Sequence, residues 1–408
     1  MKDKFADLPC DIKAGHFKKL KEYKEKLYKE PELKSLFIEA TPLCNENCLH
    51  CGSRCNEGEK ARNATLSDKC YGLFYDKELH TDKRILSNDE ILTDDEIISI
   101  LEQLKHDMYT ATTFEGGKTG KSILPFISVT GGEPLLRKGL PELMKRIRAM
   151  GYKWGMTSNG TLITPEVAKA LKNAGMYSIG ISLDGLRDTH DRFRQSKGSY
   201  DKAIEGIQNL MAAGQKNILV TTVVHKDNIS ALSEIRDVVV NLGIKMWRII
   251  NVDPIGRALD NSHILLDKKD YKAMIDYIVK ERETDDKLDV VFSCNHYLGL
   301  EYERKTRPWY FFCRAGLQVA SIQYNGDISA CLDIERRPEL TFGNVRKDNL
   351  YSVWKNEFKI FREPRIQNSK HCKACSEREY CGGSGFHTWD FNRNEPKICM
   401  FEELNSAE

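Results

Sequence analysis

The sequence predicts an α/β fold of repeating β–α units, followed by a smaller cysteine-rich unit. Two observations carry the first part: apolar, β-branched runs recur along the chain, and amphipathic segments with helix start signals separate them. A third carries the second part: beyond about residue 285 the periodic pattern stops and Cys, Gly, aromatic and charged residues take over.

Residues 1–34 read as a helical lead, in which the lysines of HFKKLKEYKEK alternate with glutamate as on a solvated helix face. SLFIEAT (35–41) is the first strand, and CNENCLHC follows it directly. A polar insertion covers roughly 52–92. The segment TDDEIISILEQLKHDMY opens the first long helix. Strands are then expected at FISVTGG (126–132), YKWGMTS (152–158), YSIGISLDG (177–185), NILVTTVV (217–224) and KMWRIINV (245–252). Their near-continuous apolar character suits parallel strands buried on both faces. The helices between them are LPELMKRIRAM, TPEVAKALKNAG, SYDKAIEGIQNLMAAG and SALSEIRDVVVNLG. Six such units over 35–285 make a βαβ-type sheet, open or barrel-like, whose chemistry belongs in the loops at the C-terminal strand ends. The remaining part, 286–408, has little periodicity outside NLYSVWKNEF and reads as a small domain held by metal.

Composition narrows the function classes. Among 408 residues, 62 basic side chains nearly cancel 60 acidic ones, with no block of one sign, so nucleic acid is not an expected partner. No stretch approaches the roughly 20 apolar residues needed to span a bilayer, and MKDKFADLPC lacks an apolar signal segment. The expected location is the cytoplasm, where thiols stay reduced and thirteen cysteines point to metal and not to disulfides.

Cys44, Cys48 and Cys51 are spaced CxxxCxxC. A structural zinc needs four ligands, and Cys55 or His50 could complete such a set. The iron–sulfur reading explains the triad better: a cubane held by three thiolates leaves one iron open for a ligand, whereas four cysteines close it.

With this triad after the first strand, the chain resembles the radical SAM enzymes, built on a partial (β/α)6 barrel. The resemblance implies a 4Fe-4S cluster on Cys44, Cys48 and Cys51 whose open iron chelates S-adenosyl-L-methionine. Later strand ends carry the rest of the family pattern in order. Gly131, Gly132, Glu133 and Pro134 match the motif that receives the methionine amino group, glycine permitting the close backbone approach. Ser158 and Asn159 follow the third strand and Ser182 and Asp184 the fourth; by resemblance they reach the cofactor's carboxylate and ribose. Arg194 stands where relatives place an arginine on the methionine carboxylate, and the loop from Asp253 to Ala258 where they pack the adenine. Singly, each motif is also a common turn or surface residue; their order carries the reading.

The C-terminal cysteines resemble the SPASM domain, an auxiliary-cluster module with the pattern CxnGx4C, Cx2Cx5Cx3C and a final Cys. Cys313, Gly326 and Cys331 match the first part, and Cys372, Cys375, Cys381 and Cys399 most of the remainder. Gly385 replaces the last cysteine of the central run. One auxiliary cluster is thus implied on Cys372, Cys375, Cys381 and Cys399. A second, on Cys313 and Cys331, lacks a ligand that Cys294 could supply, although a buried free thiol is the competing reading of Cys294. Cys10, Cys55 and Cys70 read as plain thiols.

The family implies one-electron cleavage of S-adenosyl-L-methionine to a 5′-deoxyadenosyl radical that abstracts hydrogen from an unactivated carbon. The SPASM resemblance points to a peptide or protein substrate, oxidised or cross-linked after translation, possible precursors including a small lipoprotein. An electron donor such as flavodoxin or ferredoxin is implied. Asp333, two residues beyond Cys331, is a candidate proton acceptor, its alternative being an exposed loop aspartate. Competing functions are a radical enzyme acting on a small molecule such as a tetrapyrrole, a sulfatase-maturing type of protein oxidase, and a zinc scaffold without catalysis.

Overall fold

The structure is a computed structural model that describes residues 10–53, 91–114, 124–284, 287–292 and 296–405. Cys55, Cys70, Cys294 and most of the 52–92 insertion lie outside the described residues.

All six expected strands form: β1 (Ser35–Glu39), β2 (Phe126–Thr130), β3 (Trp154–Ser158), β4 (Ser178–Ser182), β5 (Ile218–Val224) and β6 (Met246–Asn251). A seventh, β7 (Asp289–Phe292), pairs parallel with β6. Every strand lies beside its sequence neighbour, so each return is a βαβ crossover. The crossovers use α2 (Asp94–Phe114), α3 (Leu140–Ala149), α4 (Pro165–Asn173), α5 (Arg187–Arg194), α6 (Ser199–Ala212), α7 (Leu232–Asn241) and α8 (Lys268–Thr284), and α1 (Cys10–Lys29) precedes them. The curved parallel sheet with its outer helices is the partial barrel the sequence implies.

Local signals set the helix starts. Thr93 and Glu96 form a reciprocal capping box ahead of α2: the Glu96 N–H donates to Thr93 Oγ1 at 3.2 Å and the Thr93 N–H to Glu96 Oε2 at 2.7 Å. Thr164 Oγ1 accepts from the Val167 N–H, and Pro165 pre-sets the first turn of α4. In α3, Leu140, Leu143, Met144 and Ile147 share one face, and all are buried. That face meets strand side chains such as Leu36, Ile127, Ile179, Val220 and Ile249 in one continuous core. Each such side chain removed from water contributes roughly 1.5–3 kcal/mol.

The C-terminal part is not a separate body. Its hairpin, β8 (Val319–Ile322) and β9 (Ile328–Ser329), joins the main sheet, with β8 parallel to the outer edge of β1 and Leu36 opposite Ala320. Gly326 lies between β8 and β9 at φ 93°, and a Cβ there would meet Asn344 Oδ1 at 2.8 Å. The glycine of the CxnGx4C pattern is therefore the hairpin's left-handed residue. The N-terminal lead docks on this region too: Leu27 packs with Phe312 and Leu317, and Phe17 with Tyr297 and Phe311.

Candidate active site

The loop carrying Cys44, Cys48 and Cys51 leaves the end of β1 and is gripped by three other strand-end loops and the end of α5. From the β2 end, the Gly132 N–H donates to Thr41 O at 2.8 Å and the Glu133 N–H to Leu43 O at 2.7 Å. A Cβ on Gly132 would overlap the Leu43 carbonyl, so only glycine allows this approach. At the β3 end, Asn159 Nδ2 donates to Asn45 Oδ1 at 2.8 Å. The end of α5 accepts the Asn47 N–H at Arg194 O and the Leu49 N–H at Phe193 O. Beyond β6, Arg257 donates from Nε to Cys48 O at 2.9 Å and from its backbone N–H to Cys51 O at 3.1 Å. His50 stacks on Phe193 with ring centroids 4.5 Å apart, and Phe193 stacks on His225 at 3.9 Å. Burial, helped by the nearby Arg194 charge, lowers the His50 imidazole to about 3, so it packs as a neutral ring.

Arg194 is the electrostatic centre. It is buried, donates from Nε to Asp184 Oδ2 at 2.7 Å, pairs with Glu46 at 3.4 Å, and places Nη1 3.5 Å from Cys48 Sγ. Burial alone would raise the Asp184 carboxyl, but the guanidinium and the Val223 N–H hold it below its ordinary value. Burial raises Glu46 despite Arg194. Behind Glu46, the Asp184 N–H donates to His190 Nδ1 at 3.0 Å, which leaves the proton on Nε2 to donate to Ser199 Oγ at 3.2 Å. The Ser199 hydroxyl in turn donates to Glu46. One polar chain thus runs from the β4 end to the cysteine loop.

Glu133 is equally enclosed. Its oxygens accept from Ser158 Oγ at 2.9 Å and the Asn159 N–H at 2.8 Å, and burial raises its carboxyl to about 7. Ser182 ends β4 beside Asp184, and Pro134 starts the short turn that Glu133 caps.

In the C-terminal part, Cys372, Cys375, Cys381 and Cys399 line one small pocket. Cys331 follows β9, with Asp333 Oδ2 3.9 Å from its Sγ and Asp333 itself exposed. Cys313 packs near Tyr297 and Phe311. Gly385 lies in a turn braced by Arg365, whose guanidinium donates to the carbonyls of Gly383 and Ser384 and sits 3.7 Å over the Phe386 ring.

Both thiol groups fit iron–sulfur clusters. Burial raises the Cys44 thiol well above its ordinary value and pushes Cys48 up to about 12. In the C-terminal group it pushes Cys381 up to about 11 and Cys399 up to about 12. Buried thiols of this kind ionise when a cation binds them, and soft thiolate sets favour iron–sulfur chemistry. Several functional side chains are invisible to motif reading. Glu46 sits inside CNENCLHC, but its partner Ser199 is far along the chain, and His190 and His225 carry no signal of their own.

Comparison with known proteins places this geometry. Residues 38–239 match the radical SAM superfamily, and residues 313–376 match SPASM, an iron–sulfur cluster-binding domain. The AdoMet-dependent heme synthase of Methanosarcina barkeri is 25% identical over 381 residues, 89% of this chain and 95% of that protein. The corresponding protein of Oleidesulfovibrio alaskensis is 28% identical over 297 residues, 68% of this chain and 75% of its own. Mycofactocin maturase MftC of Mycobacterium tuberculosis is 30% identical over 263 residues, 63% and 65% of the two chains. Among solved structures, Streptococcus suis SuiB bound to S-adenosylmethionine shares the fold over 92% of this chain and 78% of its own, with a TM-score of 0.63 and 16% identity. The two matched domains make this chain a radical SAM enzyme that uses S-adenosyl-L-methionine and iron–sulfur clusters and carries a C-terminal SPASM domain.

Proposed function

We propose that this enzyme modifies a peptide or protein after translation, by oxidation or cross-linking. The observation that carries the reading is the fold it shares with SuiB, which has been solved bound to precursor peptide SuiA and aligns with 92% of this chain at a TM-score of 0.61. The mycofactocin maturase relative supports the same direction.

In this reading Cys44, Cys48 and Cys51 hold the open cluster, and Cys372, Cys375, Cys381 and Cys399 hold an auxiliary one. Cys313, Cys331 and Cys294 are the candidate ligands of a second auxiliary centre. Gly131, Gly132, Glu133, Pro134, Ser158, Asn159, Ser182, Asp184 and Arg194 form the S-adenosyl-L-methionine site. When bound together, cluster and cofactor supply a carbon-centred radical that takes a hydrogen atom from substrate. The chain's own part is positioning and exclusion of water. Arg194 fixes the charge beside Cys48, Glu133 ties the β2 and β3 ends together, and the polar chain through His190 and Ser199 keeps Glu46 in place. Asp333, near Cys331, is the candidate proton acceptor in this reading. An electron donor of the flavodoxin or ferredoxin kind, a small lipoprotein precursor as substrate and a cytoplasmic location belong to the same proposal. Reduced thiols suit that compartment.

A second reading, a tetrapyrrole substrate, is favoured by the heme synthase relatives, one of which matches along 95% of its own length. One experiment separates the two. The cluster-loaded enzyme is incubated anaerobically with S-adenosyl-L-methionine and reductant, with either a deuterated host peptide extract or an iron tetrapyrrole carrying propionate groups. Deuterium transfer into 5′-deoxyadenosine with a mass shift in one peptide supports the peptide reading. A mass change in the tetrapyrrole, with all peptides unchanged, replaces it.

A further inference from the structure

Three metal-ligating side chains converge where the barrel meets the C-terminal part. Asp253, two residues beyond β6, is buried, as is His296, while His387 keeps a partly open edge. His296 Nε2 is 2.7 Å from Asp253 Oδ1, and His387 Nε2 is 3.1 Å from Asp253 Oδ2. The three ligand atoms all lie within 4.8 Å of one another. Asn251 Nδ2 donates to the same Asp253 Oδ1 at 2.7 Å and so helps to orient the carboxylate, as an outer partner of a metal ligand does.

Ligands about 2.0–2.1 Å from a tetrahedral cation stand roughly 3.3 Å apart. The two spacings from Asp253 are already close to that, so a cation can replace the protons shared between Asp253 and the rings through small side-chain shifts. Among the described residues, His296 Nδ1 is buried without a hydrogen-bond partner. For Nε2 to present its lone pair to a cation, the ring keeps its single proton on Nδ1 and the Nε2 proton is released. Two imidazoles and one carboxylate are a nitrogen and oxygen set of intermediate softness, which suits zinc or ferrous iron and not calcium or magnesium. Three protein ligands also leave a fourth position open. Asp333 lies near enough for its charge to act on His387.

We propose that Asp253, His296 and His387 form a binding site for one divalent transition cation, separate from the cysteine-held clusters and with one coordination position open. The site joins the β6 end, the segment after β7 and the turn that follows Gly385. It does not depend on whether the substrate is a peptide or a tetrapyrrole.

The test uses full-length, cluster-loaded enzyme incubated anaerobically with zinc chloride and then desalted over a chelating resin. Zinc and iron are counted by mass spectrometry, and the zinc environment is read by X-ray absorption at the zinc edge. The expected result is one retained zinc with only nitrogen and oxygen neighbours at about 2.0–2.1 Å. His387→Ala and the isosteric Asp253→Asn should each lower retained zinc at least about tenfold while iron content stays unchanged. Because His387 is partly exposed, its truncation is the safer variant for folding, and Asp253→Asn preserves shape in the buried one. The proposal is overturned if the wild type retains no zinc, if sulfur appears in the zinc shell, if the variants hold as much zinc as the wild type, or if they lose iron along with it.

Discussion

Arg194 places its guanidinium 3.5 Å from Cys48 Sγ while pairing with Asp184 and Glu46, so one buried cation serves two carboxylates and a thiol at once. Removing it leaves the acids buried and unpaired. Arg194→Ala should therefore destabilise the fold by about 3–5 kcal/mol. Arg194→Lys should recover part of this, because it keeps the charge but loses the fork that reaches Asp184 and Glu46 together. Denaturant midpoints of the three proteins check the order; a lysine variant no better than alanine would show that the fork, and not the charge, holds the site.

Gly132 offers a purely steric prediction. A Cβ there meets the Leu43 carbonyl and the Cys44 backbone nitrogen, neither of which can rotate away. Gly132→Ala should cost about 1–3 kcal/mol and loosen the cysteine loop. Thermal melting, with iron content after reconstitution as a second readout, measures both effects.

The four thiols around the C-terminal pocket should behave as a unit. Cys372→Ala, Cys375→Ala, Cys381→Ala or Cys399→Ala is each expected to remove the same complement, about four irons for a cubane. Cys44→Ala combined with Cys381→Ala should lose the sum of the two single losses. Iron and sulfide analysis of the singles and the double decides this.

Acid should weaken the link between α2 and the C-terminal part. The Arg346 guanidinium, 2.7 Å from Glu96, together with the hydrogen bonds from Thr93, holds the Glu96 carboxyl at about 2, below its ordinary 4.5. A depressed carboxyl contributes stability that is fully present above 4.5 and is lost as pH falls toward about 2. The difference in stability between wild type and Glu96→Gln should therefore be constant at neutral pH and shrink across that window. Paired denaturation series from pH 6 downward test it, cluster loss being common to both proteins.

Much of this was legible in the sequence because parallel strands buried on both faces leave continuous apolar runs, and because cluster ligands keep fixed spacings. The six expected strands and the thiols of CNENCLHC are read that way. β7 escaped because its few residues, Asp289–Phe292, are too short to show a period. Gly326 was legible as part of a spacing, but its left-handed role between β8 and β9 was not. The contacts hardest to foresee are between distant positions: Asp253 meets His296 across 43 residues and His387 across 134. No local pattern records such meetings, since they arise only when the sheet and the C-terminal turn close on each other.

The pairing of β8 with β1 also bears on how the protein can be made. Until the ribosome has released Val319–Ile322, the strand that launches the cysteine loop has an open edge, and an open strand edge invites pairing with other chains. A gene truncated after the barrel would leave that edge bare permanently. Fragments of this enzyme should accordingly aggregate where the full chain does not, and the two matched domains are best regarded as a single unit of synthesis.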